Sequence, residues 1–305
     1  MVECTQLINI VQLKLITMKQ KDRIERRRTT WNVINIKARV NQTPLHYVEA
    51  FRQIKEQDPL VEVYGKKCIS IRSLQESELL ENDNTPKWMQ LCITHYTIVD
   101  PSAFYNIREH KDVKMAWNTD IVANMHEAEL YFIPSVHKLA VKRNAKISLN
   151  NVLKYLEGAL NAIEPEGFDV SLVLDHDMIM RILNAHAIYS FEANVTYSNP
   201  GHTSGFSRLF EDNVREMNPN KFSISAVGTK DNPLVNNEDG IIEAATSLAE
   251  ENGSVKALIA EQEGGDRVRI DSKEHPRVMV IPQIVNGLCS TVYHAIIDAF
   301  RHHES

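Results

Sequence analysis

The stretch that decides the fold is Glu127-Ala-Glu-Leu-Tyr-Phe-Ile-Pro-Ser-Val-His-Lys-Leu-Ala-Val-Lys-Arg143. Two apolar runs, residues 130–133 and 139–142, flank Pro134-Ser-Val-His137, a tight connection whose proline has no amide to give a strand ladder. The runs pair as a hairpin. Beyond it, Ser148 stands where its hydroxyl accepts an amide of a first helical turn. Leu149, Val152, Leu153, Leu156, Leu160 and Ile163 then make one apolar stripe at helical spacing. Glu164-Pro-Glu-Gly167 stops that helix, and the apolar run 168–174 follows. Asp175 caps a second helix that buries Met178, Ile179, Ile182 and Leu183. Residues 188–197 alternate, with Ser190, Glu192 and Asn194 on one side and Phe191, Ala193 and Val195 on the other, as in a half-buried antiparallel strand. The order is strand, strand, helix, strand, helix, strand.

N-terminal to this stretch, Trp31, Val33, Ile34, Ile36, Ala38 and Val40 alternate with Asn35, Lys37 and Arg39. That pattern predicts a strand with one polar, basic face. Thr43-Pro44 opens an amphipathic helix over 45–57, closed by Asp58-Pro59. Residues 60–64 and 68–74 form a hairpin around Tyr64-Gly-Lys-Lys67, residues 76–85 read as a surface loop or helix end, and 88–99 as another strand. Residues 104–123 show no period, and Trp117-Asn-Thr-Asp120 reads as a turn. After the central stretch, a helix over 207–217 and a strand over 222–228 precede a helix over 236–253, for which Asn252-Gly253 is a left-handed cap. Gly264-Gly265 joins strands at 254–261 and 267–271, and an amphipathic helix occupies 283–302. No long parallel crossover appears. The fold class is α+β with antiparallel or mixed sheets in two domains. The expected divisions are a basic extension at 1–30, an α+β domain at 31–126, a second at 127–282 and a terminal helix at 283–305.

The 305 residues carry a net charge of −6, unevenly spread. Residues 1–42 hold nine Lys/Arg against three acids, a net +6, which leaves −12 on the remainder. Such separation points to a basic arm seeking an acidic partner such as nucleic acid; the competing reading is a solvated tail. The clusters are Arg26, Arg27 and Arg28; Lys37 and Arg39; and Lys138, Lys142, Arg143 and Lys146, the last four in a nine-residue segment without an acid. Cations grouped this way bind phosphates non-specifically and with strong salt dependence.

Catalytic signatures are missing from the sequence. Asp175-His176-Asp177 offers metal-ligand chemistry, yet consecutive residues do not share a helix face, and an acid there serves better as a cap. Gly201-His-Thr-Ser-Gly205 lacks the Lys-Ser/Thr ending of a phosphate loop. Histidines are scattered singly, no cofactor is indicated, and Cys4, Cys68, Cys92 and Cys289 have no paired spacing. The apolar run 7–16 is too short to span a bilayer, and Met18 is an alternative start, so the expectation is a cytoplasmic protein without membrane insertion.

The central hairpin, the capped Ile147-Ser-Leu-Asn-Asn-Val-Leu-Lys-Tyr-Leu-Glu157 helix, the strand ending in Tyr197-Ser-Asn-Pro200, and Ala249-Glu-Glu-Asn-Gly-Ser-Val-Lys-Ala257 together resemble a family of bacterial and prophage proteins. In layout that family is similar to the RexA-type phage-exclusion proteins and, more weakly, to KwaB-like defence proteins. The resemblance covers residues 127–282. It implies an oligomeric DNA-binding component of abortive infection; with no catalytic signature in the residues, the leading expectation is a non-enzymatic protein, and a second defence protein encoded nearby is a further candidate partner. Two other classes stay open: a toxin-like ribonuclease, and a purely protein-binding partner.

Overall fold

The computed structural model describes residues 28–300, apart from 81–82, 117, 119, 145, 197–204, 218, 220, 238–239 and 283–286. Arg26, Arg27, most of the 201–205 glycine loop and the first residues of the expected terminal helix therefore lie outside the described residues.

Strand β1 (Arg28–Ala38) is the axis of the protein. Helix α1 (Pro44–Gln57) follows, then β2 (Val61–Tyr64) and β3 (Lys67–Glu76). The next strands are β4 (Leu79–Leu80), β5 (Asp83–Pro86), β6 (Met89–Thr97), β7 (Phe104–Asn106) and β8 (Lys111–Val113). The central hairpin is β9 (Ala123–Ile133) and β10 (Lys138–Lys142), joined by a 3-10 turn that leaves His137 left-handed at φ 56°. Helix α2 (Leu149–Ile163), β11 (Phe168–Leu172), α3 (His176–Leu183) and β12 (Ala187–Thr196) complete the central stretch. Helix α4 (Gly205–Glu216), β13 (Lys221–Val227), α5 (Ile241–Asn252), β14 (Gly253–Ala260) and β15 (Arg267–Asp271) follow. The last elements are β16 (Val278–Pro282) and α6 (Leu288–Phe300).

Eight strands form one antiparallel sheet in the order β11, β1, β10, β9, β6, β3, β2, with β16 also on β1. One edge of β1 pairs with β10. Its other edge is shared: β16 takes residues 28–32 and β11 takes 34–38. Alternation sends Ile34, Ile36 and Ala38 into a core covered by α1 and α2, and Trp31 and Val33 into a second core under α6. Four further strands, in the order β13, β12, β14, β15, form an antiparallel sheet packed on α3 and α5.

The α+β class and the antiparallel pairing stand as read from the sequence. The caps do too: Ser148 accepts from the Asn151 amide at 3.2 Å, and Asp175 from the Asp177 amide at 2.9 Å. Four details differ. Residues 79–86, expected as a loop or helix end, hold the β4–β5 hairpin, and 104–113, which show no period, hold β7–β8. The expected boundary at 126/127 falls inside β9, whose ladder to β6 runs straight across it. Gly253 is not a left-handed cap. At φ −170° it is extended and opens β14 directly from the end of α5, and a Cβ there would collide with the Asn194 carbonyl oxygen.

Candidate nucleic-acid interface

The basic residues do not share one environment. Lys37 is 1% exposed and Lys138 4% exposed. Both sit on the face of the large sheet that also carries the buried Trp31 and Val33, so the polar, basic face expected for β1 is covered rather than open. Lys138 donates from Nζ to Asn35 Oδ1 at 2.9 Å and lies 5.2 Å from the Phe300 ring centroid at the end of α6. The expected apolar side set Trp31 and Val33 with Ile34, Ile36 and Ala38, whereas strict alternation puts the first two on the face of Asn35 and Lys37, and both faces are packed.

Arg39 stands just past β1 and is tied to Asp169 on β11 by two hydrogen bonds, at 3.2 and 2.9 Å. Donating to that carboxylate raises the Arg39 pKa against the opposing effect of burial, so the guanidinium stays charged but engaged. Lys37 and Lys138 are thereby covered, and Arg39, a quarter exposed, is already engaged by a carboxylate.

Arg28, Lys142 and Arg143 converge instead. The Arg143 amide donates to the Thr30 carbonyl at 2.8 Å, continuing the β1–β10 ladder beyond Trp31↔Lys142 and setting Arg143 beside the start of β1. A surface groove of about 640 Å³ results, lined by Arg28, Thr29, Thr30, Lys142, Arg143 and Asn144. Its lining holds no acid. Lys142 bonds Glu129 at 2.7 Å and lies 5.9 Å from the Trp31 ring centroid. Among the described residues, Arg28, Arg143 and Lys146 form no ion pair, and Arg143 and Lys146 are exposed. Asn144 fixes the turn, donating to the Glu127 carbonyl at 2.7 Å and accepting from the Lys146 amide at 2.8 Å.

Lys142, Arg143 and Asn144 also wall a second groove of about 480 Å³. Its floor is Asn32, Val141 and Ile147, and its far side carries Asp175, Glu274 and His275. This groove mixes both signs. The three cations of the first groove are held by strand backbone, so their spacing is set by register rather than by flexible loops.

The sequence signalled Arg28, Lys142 and Arg143 through clustering. It did not signal Thr29, Thr30 or Asn144, whose place in the groove depends on long-range pairing; only the acid-free run 138–146 hinted at the neighbourhood. The Asp175-His176-Asp177 trio is dispersed. Asp175 caps α3, and His176 Nδ1 lies 3.1 Å from Glu250 on α5. Among the described residues, no three His, Cys, Asp or Glu side chains gather closely enough to hold a metal ion. No described helix is long and apolar enough to cross a membrane.

A search of curated proteins finds no match to the chain. A family model described as "Domain of unknown function (DUF4747)" matches residues 27–298, spanning both sheets and the groove alike, and the protein belongs to that family.

Proposed function

We propose that this protein binds nucleic acid, DNA before RNA, through the groove of Arg28, Lys142 and Arg143, as an oligomeric component of anti-phage defence. The observation that carries the binding is the acid-free lining: three cations, two threonines and an asparagine, all suited to phosphate oxygens. Arg26 and Arg27 immediately precede the groove in the chain and extend the same charge. Contacts of this kind hold the backbone without reading bases, so the binding is non-specific and falls steeply with salt. The defence role and the oligomer rest on the resemblance to RexA-type proteins over residues 127–282.

A gel-shift titration of duplex DNA at rising salt tests the proposal. The wild type binds at low salt, and Arg28→Glu with Arg143→Glu weakens it at least about tenfold, with a shallower salt slope. A wild type that shifts no DNA at low salt, or a double variant that binds as well, would overturn it.

A further inference from the structure

The second sheet has one covered face and one open one. Phe191, Ala193, Val195, Val255 and Ile259 point into the core under α3 and α5. On the opposite face, the register aligns Val227, Ser190, Leu258 and Arg269 in one row and Ser225, Glu192, Lys256 and Asp271 in the next. Each of these eight residues is exposed or half-buried.

Charge on this face is sorted by position. Arg267 and Arg269 stand on the edge strand β15 and Lys221 on the opposite edge strand β13, all three exposed. A single cation stands between the two carboxylates: Lys256 lies opposite Glu192 in the ladder and 3.8 Å from Asp271. Between the edges runs a hydrogen-bonding row. Ser223 Oγ donates to Asn194 Oδ1 at 2.7 Å, and Asn194 Nδ2 donates to Glu192 Oε1 at 2.9 Å.

A stacking surface completes the face. Ile188 pairs with Ile259 and Ser190 with Leu258, so Tyr189 is the extra residue of a β-bulge. Bulges re-aim a side chain out of the ladder. Here the Tyr189 ring carries the Arg267 guanidinium 4.2 Å from its centroid, forming a flat, cationic shelf at the sheet edge.

We propose that the open face of β13, β12, β14 and β15 binds single-stranded RNA. Bases stack on the Tyr189–Arg267 shelf and on the apolar Val227 and Leu258, and phosphates lie along the arginine edge. The central hydroxyl, amide and carboxylate row takes 2′-hydroxyls and base edges. Antiparallel sheets about 14 Å across hold two or three unstacked bases this way. The 2′-hydroxyl argues for RNA over DNA, because the Glu192 carboxylate accepts a hydrogen bond from it and repels a phosphate. The proposal shares no residue with the groove and stands or falls apart from it.

Fluorescence anisotropy with a labelled oligouridylate, an oligothymidylate of equal length and duplex DNA tests this. Wild type prefers the oligouridylate. Arg269→Glu and Tyr189→Ala each weaken it about tenfold or more, while Tyr189→Phe preserves stacking and binding. In an Arg143→Glu background, which weakens the groove's non-specific phosphate contacts, the preference for oligouridylate over oligothymidylate persists and still depends on Arg269 and Tyr189. Arg269→Gln, with a thermal melt matching wild type, serves where the charge reversal perturbs folding. Three results would overturn the proposal: no oligouridylate binding, unchanged affinity in the Arg269 and Tyr189 variants, or equal affinity for oligothymidylate. So would an Arg269→Glu change in sedimentation without any effect on RNA, which would mark the face as a contact between copies.

Discussion

Arg39 reaches Asp169 through two parallel hydrogen bonds, Nε to Oδ2 at 3.2 Å and Nη2 to Oδ1 at 2.9 Å, clamping the exit of β1 to the start of β11. The side chains are 25% and 11% exposed, so solvent screens the pair only partly. Removing the carboxylate leaves a largely covered guanidinium without its partner. Asp169→Ala is expected to lower unfolding free energy by about 1–3 kcal/mol, read from urea denaturation. DNA affinity should be untouched in the same variant, because Arg39 lies outside the groove.

Lys138 and Arg143 are five residues apart in sequence and opposite in role. Lys138→Met should cost about 1–3 kcal/mol of stability, since it removes the buried bond to Asn35, and should leave the salt slope of DNA binding at its wild-type value. Arg143→Ala should do the reverse, with an unchanged melting temperature and a slope reduced by about 1. Paired thermal melts and salt titrations check both. A Lys138→Met variant with a reduced slope would contradict its buried placement.

Gly253 marks a junction with no linker, where α5 ends and β14 begins. Because its added Cβ meets the Asn194 backbone oxygen rather than a movable side chain, β12 and β14 must separate to admit it. Gly253→Ala should destabilise by about 3 kcal/mol and lower the melting temperature accordingly. Gly264→Ala makes a useful contrast: its φ of 69° brings strain, but nothing lies within 4 Å.

Glu76 at the end of β3 binds Arg52 of α1 in a bidentate pair at 2.7 and 2.8 Å. The hydrogen bond from Arg52 holds the Glu76 carboxyl below its ordinary pKa, against the opposing effect of burial. A carboxylate depressed in the folded state contributes stability that is complete above its unfolded value of about 4.3 and disappears as pH falls through the folded one. Wild type should therefore lose more stability than Glu76→Gln between about pH 6 and about pH 3. Parallel acid titrations of the denaturation midpoint decide it; curves that fall together would remove the pair from the account.

Local chemistry is what the sequence displayed well. Ser148 and Asp175 cap helices because the cap lies within three residues of its donor, and Gly264-Gly265 turns a hairpin that closes on itself. Long-range partnership was not displayed. Lys37 alternates with Ile36 and Ala38 as a surface residue would, and only the packing on both faces of β1 buries it. Gly253 follows a helical pattern and looks like its cap; the carbonyl that demands glycine belongs to β12, some sixty residues earlier. The candidate groove shows the same division. Its arginines were visible as charge, whereas the threonines beside them are placed by the β16 and β10 registers.

The double partnership of β1 also sets the order in which its two edges are completed during synthesis. Thr29 pairs with Ile281, a separation of 252 residues. At about 5–20 residues per second, a ribosome releases β1 roughly 10–50 s before the strand that flanks it. Throughout that interval residues 28–30 have no neighbour on that side, and the Arg28 end of the groove rests on the β10 ladder alone. The β16 edge of β1 is therefore completed only after residue 282 has left the ribosome, long after the β1–β10 side of the groove can close.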